Sequence, residues 1–436
     1  MTTTNVYFNY INTIRITFSF LLVAFVFKSL IKTPSVIIEF SLLALLLVFS
    51  LFYAAQKFKI QSSHSLIFVF FLVYILSHTL FATFIRPLIY EVDFFTVLQF
   101  NLLEFRVSTI SYFLPIIFIP LIMSNVEKFE NFIIVIIKIS IIFTIIEQLL
   151  SLIGFRGFFE NFYAASGVVS SNQIGAKSLG LYRIWGVVGS PQLLGVFHII
   201  TLFYMMHKGN NKWALLSLIG VIISTSKTAY VILIITGMLY LLYKKRYSML
   251  FIITLLMTFI IIITLNFYFY LIENISDSYP SFQKFIGSIL GYGVLLLNVE
   301  EESAPQLFIP GGPLIELINY YSENLLQIFL GKGLTYSHMH STFISNSDLQ
   351  SFFYLTSDFY ILTFIDQYGL IGLLLIIYLF LIYPLLRLLS NGNYLYFIPI
   401  IFFLSMFHYP PHIPKIMVLL SSYPLYVLYL RNTNDR

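Results

Sequence analysis

The chain has 436 residues, of which 59% are hydrophobic and only 10% charged, with a formal net charge of +5 and a mean hydropathy of +0.90. This composition lies well outside that of soluble domains and excludes a water-soluble enzyme or binding module. The chain contains no cysteine, which excludes disulfides and thiolate-bound metals.

Apolar runs recur along the whole chain between Pro, Gly and charged residues. A helix that crosses a bilayer needs about 20 mainly apolar residues, because its backbone polar groups can be satisfied only within the helix. We therefore predict an all-α polytopic membrane protein, with residues 1–436 forming a single integral membrane domain of about twelve transmembrane helices. The predicted spans are 13–31, 35–55, 65–85, 107–123, 131–153, 191–207, 212–226, 228–243, 248–270, 359–386, 394–409 and 414–430.

An even number of spans places both termini on the same side of the membrane. The cluster Lys244, Lys245 and Arg246 falls on that side, which the positive-inside rule assigns to the cytoplasm. The opposite side then holds a smaller loop at 154–190 and a large loop at 272–357, in which we also predict helices. The large loop carries eight Asp and Glu residues against two Lys, so it is acidic.

Charge is costly inside a predicted span, and we single out four charged residues that lie well away from the span ends. They are Glu39, Lys138, Glu147 and Asp366. Such residues either line a functional cavity or form hydrogen bonds inside the helix bundle, and we favour the second explanation.

The smaller loop ends in a segment that combines a cation with glycines. Arg183 precedes Gly186 and Gly189, and Pro191 opens the next span. A cation and free backbone N–H groups at a helix N-terminus favour an anion such as phosphate. The glycines are equally consistent with a tight turn and close helix packing, and the arginine with snorkelling to the membrane interface.

A second polar segment, Ser224-Thr225-Ser226-Lys227, separates two short spans. A lysine surrounded by hydroxyl groups can hold a phosphate as a point charge. A plain polar hairpin between two spans explains the same residues, so this segment alone decides nothing.

The third segment lies where the large loop returns to the membrane. Asp358 precedes a span that contains Gly369 and Gly372. The carboxylate could accept a proton from a sugar hydroxyl or merely cap the following helix.

Taken in order, these segments resemble the O-antigen polymerase and O-antigen ligase superfamily over residues 150–375. The resemblance depends on Arg183-x-x-Gly186 ahead of Pro191, the turn Ser224-x-Ser226-Lys227, Gly331-x-Gly333 and Gly369-x-x-Gly372. Members of this superfamily are bacterial inner-membrane glycosyltransferases that use undecaprenyl-diphosphate-linked glycans at the periplasmic face. The ligase branch has a histidine at the register of Asp358, so its absence here favours a polymerase.

The resemblance implies a donor and an acceptor that are both glycans on undecaprenyl diphosphate, within membrane lipid, and contact with a chain-length regulator. It implies no metal or other cofactor and no nucleic acid. It places the active site at the periplasmic face. The implied catalytic residues are Arg183 and Lys227, which stabilise the diphosphate charge, and Asp358 as the base. The implied substrate-binding residues are Arg156, Lys332, Tyr336, His338 and His340.

Three other functions stay open. An O-antigen ligase would transfer the glycan to lipid A-core. A metal-dependent glycosyltransferase could use Glu91 and Asp93 as its acidic pair. A flippase for lipid-linked sugars would be built from repeated halves, and residues 1–210 and 211–436 show no convincing repeat.

Overall fold

The computed structural model describes residues 63–85, 118, 122, 126–165, 177–178, 181–266, 325–331, 360–407 and 415–430. Nearly all of these residues are helical, which confirms the all-α class. The predicted spans 13–31 and 35–55, and 107–123 apart from Phe118 and Ile122, lie outside the described residues. So does the large loop at 272–357 except for 325–331.

Twelve α-helices occur in the described residues, and a helix lies at every predicted span that falls there. They are α1 Ser63–Leu80, α2 Val126–Leu150, α3 Arg156–Ala165, α4 Pro191–His207, α5 Asn211–Ile223, α6 Lys227–Tyr243, α7 Tyr247–Asn266, α8 Leu325–Leu330, α9 Tyr360–Ile377, α10 Tyr383–Asn391, α11 Phe397–Ser405 and α12 Lys415–Leu425. π-Helical turns follow four of them, at Phe81–Ile85, Ser151–Phe155, Tyr378–Ile382 and Tyr426–Leu430.

Three helical stretches in the described part of the chain are long and apolar enough to cross a membrane. They are Ser63–Leu80, Val126–Tyr163 and Gln367–Asn391. Large apolar side chains such as Leu66, Phe251 and Leu374 are exposed on the helices, as expected where the surrounding solvent is lipid. The chain is therefore associated with a membrane.

Helix α4 lies at the centre of the described bundle, because thirteen of its seventeen residues are buried. It contacts α2, α5, α6 and α11. Phe203 near its C-terminal end stacks on Phe397 of α11, with the ring centroids 4.2 Å apart. A helix that is apolar on all sides is typical of such a central position.

The smaller predicted loop, 154–190, contains α3 and a short antiparallel hairpin. Strand β1, Lys177–Ser178, pairs with strand β2, Leu181–Tyr182, with Lys177 opposite Tyr182. A 3₁₀ turn at Gly186–Val188 then leads to Ser190, the N-cap of α4. The loop is thus a structured connection that ends at the N-terminus of the central helix.

Candidate functional site

The turn after Arg183 is built around a buried carboxylate. Glu147, from the end of α2, is 0% exposed. Its Oε1 accepts a hydrogen bond from the Trp185 N–H at 3.1 Å, and its Oε2 accepts from the Gly186 N–H at 2.9 Å and the Tyr163 hydroxyl at 2.7 Å. The N–H groups of Trp185 and Gly186 are therefore not available to a ligand, because Glu147 accepts a hydrogen bond from each of them.

Arg156 holds the same turn from its other side. Its Nη2 donates to the Arg183 carbonyl at 3.1 Å and its Nε donates to Glu160 Oε1 at 3.1 Å, while the guanidinium lies 5.3 Å from the Tyr182 ring centroid. The residue is only 7% exposed. The structure thus shows Arg156 bound to protein groups, and its binding of substrate stays a prediction.

Arg183 differs from Arg156 because its guanidinium forms no hydrogen bond or ion pair with the described residues. Burial lowers the pKa of the Arg183 guanidinium below its ordinary value. An arginine guanidinium is not deprotonated in proteins, so Arg183 keeps its positive charge at neutral pH. A half-buried cation next to a rigid backbone turn is well suited to bind an anion.

The Ser224–Lys227 turn docks directly on the first turn of α4. The Ser226 hydroxyl donates to the Gln192 carbonyl at 3.1 Å and accepts from the Ala229 N–H at 3.3 Å, so it also caps α6. A Cβ on Gly195 would lie 2.6 Å from Ser224 Oγ, so only glycine allows this approach. Two segments that the sequence presented separately are therefore in contact, with Lys227 as the first residue of α6.

In the third segment, Gly331 and Gly369 are in direct contact. Gly331 and Gly369 both have positive φ, +75° and +65°, and a Cβ on Gly331 would lie 2.5 Å from the Gly369 nitrogen. The Tyr74 hydroxyl of α1 donates to the Tyr368 carbonyl at 2.7 Å and lies 3.3 Å from the Leu330 carbonyl oxygen. The end of α8 is thus fixed against both α9 and α1.

His78, one turn after Tyr74, completes this junction. Its Nε2 forms a hydrogen bond with the Leu330 carbonyl oxygen. Neither Tyr74 nor His78 was identified from the sequence, because nothing in the pattern of α1 distinguishes them from interfacial aromatic residues.

The Arg183–Gly195 and Ser224–Ala229 segments and the start of α9 lie at one end of the bundle. Tyr243, the last residue of α6, donates to the Gly392 carbonyl at 3.0 Å just ahead of α11, so these two contacting helices run in opposite directions. At the far end of α11, the Met406 carbonyl accepts from the Ile361 N–H at 2.8 Å. The start of α9 therefore lies at the same end of the bundle as Lys227 and Pro191.

Five predicted site residues lie outside the described residues, and their roles stay predictions. They are Asp358, Lys332, Tyr336, His338 and His340. Glu39 and the side chain of Asp366 are likewise not described. Across the ranges that are described, no three His, Asp or Glu side chains gather in a metal-binding group.

The prediction that charged residues inside spans form hydrogen bonds within the bundle is confirmed for Glu147, whereas the contact of Lys138 is of another kind. Glu147 has the three hydrogen-bond donors given above. Lys138 Nζ lies 5.4 Å from the centroid of the Trp213 ring, within cation–π range.

No protein-family model, no curated protein and no solved structure matches this chain.

Proposed function

We propose that this chain is a membrane glycosyltransferase of the O-antigen polymerase type. It joins oligosaccharide repeat units carried on undecaprenyl diphosphate, at the periplasmic face of the bacterial inner membrane. In this proposal about twelve helices cross the membrane, both termini are cytoplasmic, and the loops at 154–190 and 272–357 face the periplasm. The single observation that carries it is the contact between the Arg183–Gly195 and Ser224–Ala229 segments.

That contact brings two cationic segments to the N-terminal ends of neighbouring helices. Helix N-termini carry a partial positive charge and attract anions. Arg183 adds a planar fork of donors, and Lys227 adds a compact point charge. A diphosphate carries oxygens on two phosphorus atoms, so it fits two cations of different geometry better than a single carboxylate would.

The reaction needs little more than positioning and charge stabilisation. A hydroxyl oxygen of the acceptor sugar attacks the anomeric carbon of the donor glycan, and the bond from that carbon to the phosphate oxygen breaks. Undecaprenyl diphosphate leaves with the electron pair, next to Arg183 and Lys227. The hydroxyl proton passes to a base, for which Asp358 is the candidate, with His338 and His340 as alternatives.

The direct test uses purified protein in lipid vesicles that contain an undecaprenyl-diphosphate-linked repeat unit, with products separated by chain length. Wild-type protein should form a ladder. Arg183→Ala and Lys227→Ala should each lower the rate by about 10²-fold or more, the usual cost of removing one charge-stabilising group. Wild-type ladders from both variants would remove these residues from the mechanism.

Lys244→Ala is the matched control, since it removes one cation at the opposite end of α6. Lys244 Nζ lies 4.9 Å from the Tyr243 ring centroid and 5.3 Å from that of Tyr394, so its charge is held by aromatic rings far from the proposed site. This variant should keep the wild-type rate. A loss equal to that of Lys227→Ala would indicate a general effect of charge rather than a site.

Cells provide a second test. A strain that lacks the protein should carry lipid A-core with a single repeat unit, because ligation continues without polymerisation. A complete ladder in that strain would refute a polymerase. Core without any repeat unit would instead indicate a ligase or a flippase.

A further inference from the structure

We propose that Glu147 is a positioning residue for Arg183, whose buried carboxyl group sets the backbone of the turn from which the arginine projects. This inference rests on the proposed function only where it gives Arg183 a catalytic role. The positioning itself is a property of the fold and can be measured without any reaction.

The geometry around the carboxylate carries the inference. Two consecutive backbone amides, of Trp185 and Gly186, converge on separate oxygens of one side chain. The Tyr163 hydroxyl donates a third hydrogen bond to the same carboxyl group. Because Glu147 is completely buried, no water competes for these bonds, and the turn is held to the rigid end of α2.

Arg156 completes the arrangement from the opposite direction. Its bond to the Arg183 carbonyl fixes the residue on its C-terminal side, one peptide before the amides that Glu147 holds. Arg156 reaches the opposite side of the turn because Gly154, with φ of +104°, breaks the helix between Glu147 and Arg156. A buried carboxyl group and a buried guanidinium, nine residues apart in sequence, thus hold one turn between them.

The consequence for the reaction is that the starting point of the Arg183 side chain is fixed before substrate binds. A misplacement of about 1 Å can cost about 10²-fold in rate. Neither Glu147 nor Arg156 needs to contact the substrate for this effect, so each acts through the backbone of Arg183.

Replacement by glutamine tests the role of the carboxylate at nearly constant volume. A glutamine has one oxygen, so its NH₂ group would face one of the two backbone N–H groups and leave it unbonded. Glu147→Gln should lower the rate per folded molecule by about 10²-fold, whereas Glu147→Asp, which keeps both oxygens, should recover part of it. Folded protein is counted by size-exclusion chromatography.

Glu130→Gln is the matched control, because Glu130 is also a buried carboxylate on α2. It lies near the other end of the helix, where it pairs with Lys208. This variant should keep the wild-type rate. Equal losses in Glu130→Gln and Glu147→Gln would overturn the inference, because any buried charge on α2 would then have the same effect.

The opening of the turn is measured in a separate experiment, which needs no reaction. Since the chain has no cysteine, Val188→Cys introduces a single thiol into the turn. We expect a maleimide to label this thiol about ten-fold faster when Glu147→Gln is added, since loss of a held backbone raises local opening. The added Glu130→Gln should leave the labelling rate unchanged.

These readouts separate the two proposals. Faster labelling in the Glu147→Gln protein with no ladder from wild-type protein would support positioning and refute the polymerase. A wild-type ladder together with unchanged labelling and unchanged rate in Glu147→Gln would support the polymerase and overturn the positioning role. The positioning role would also be overturned if Glu147→Gln lost activity without faster labelling and Glu147→Asp recovered none of that activity.

Discussion

Gly195 on α4 offers the most direct test of the contact on which the proposed function depends. An added Cβ would collide with the Ala229 Cβ and would lie 2.6 Å from Ser224 Oγ and 3.0 Å from the Ser226 Cβ. Carbon atoms in contact prefer a separation of about 3.5–4.0 Å, so the Ser224–Ala229 segment must move by about 1 Å.

Such overpacking costs about 1–3 kcal/mol of stability. A displacement of about 1 Å at a catalytic group lowers the rate by about 10²-fold. We therefore expect Gly195→Ala to remain folded with a lower melting temperature and to form the ladder at about one-hundredth of the wild-type rate. The assays are a thermal melt of the purified protein and the vesicle reaction, expressed per folded molecule.

Gly237→Ala is the control, because a Cβ at that helical position meets nothing within 4 Å. Alanine stabilises a helix interior by about 1 kcal/mol relative to glycine, so this variant should be at least as stable as wild type and equally active. If Gly195→Ala behaves like Gly237→Ala in both assays, the close approach of the two segments does not matter, and the reasoning fails.

Two further predictions concern the junction of the third segment and the absence of metal from the proposed mechanism. Gly369→Ala should sharply reduce the yield of folded protein, because its φ of +65° and its contact with Gly331 both exclude a side chain. Gly157→Ala is the control and should keep the wild-type yield, because a Cβ at that position meets nothing within 4 Å. Equal yields from the two variants would contradict this prediction. A chelator should leave the wild-type ladder unchanged, and a loss that manganese or magnesium restores would favour a metal-dependent glycosyltransferase.

The helices at the predicted spans could be predicted from the sequence because each span is an apolar run with a local stop signal, whereas α3, inside the predicted loop 154–190, was not predicted. Pro191 opens α4 and the Lys244–Arg246 cluster follows α6, and both boundaries depend only on neighbouring residues. The charge on Glu147 also indicated a buried interaction, because an unpaired charge inside a span is too costly to keep.

The partners of Glu147 could not be predicted. Its hydrogen bonds to Trp185 and Gly186 connect residues 38 and 39 positions apart, and no periodicity reports such a separation. The conformation of Gly369 could not be predicted from the sequence either. A glycine inside an apolar run is compatible both with close helix packing and with a positive φ, and only its contact with Gly331 distinguishes the two.

The burial of α4 has a consequence for how the protein is made. A central helix such as α4 keeps part of its contact surface exposed until the last of its neighbouring helices has been synthesised. One of these neighbours is α11, because its Phe397 stacks on Phe203 of α4. At ribosomal speeds of about 5–20 residues per second, the roughly 200 residues between them take about 10–40 s to synthesise. During that interval α4, which follows the Arg183 turn, lacks part of its packing, so the turn is fully supported only after the C-terminal helices have been made.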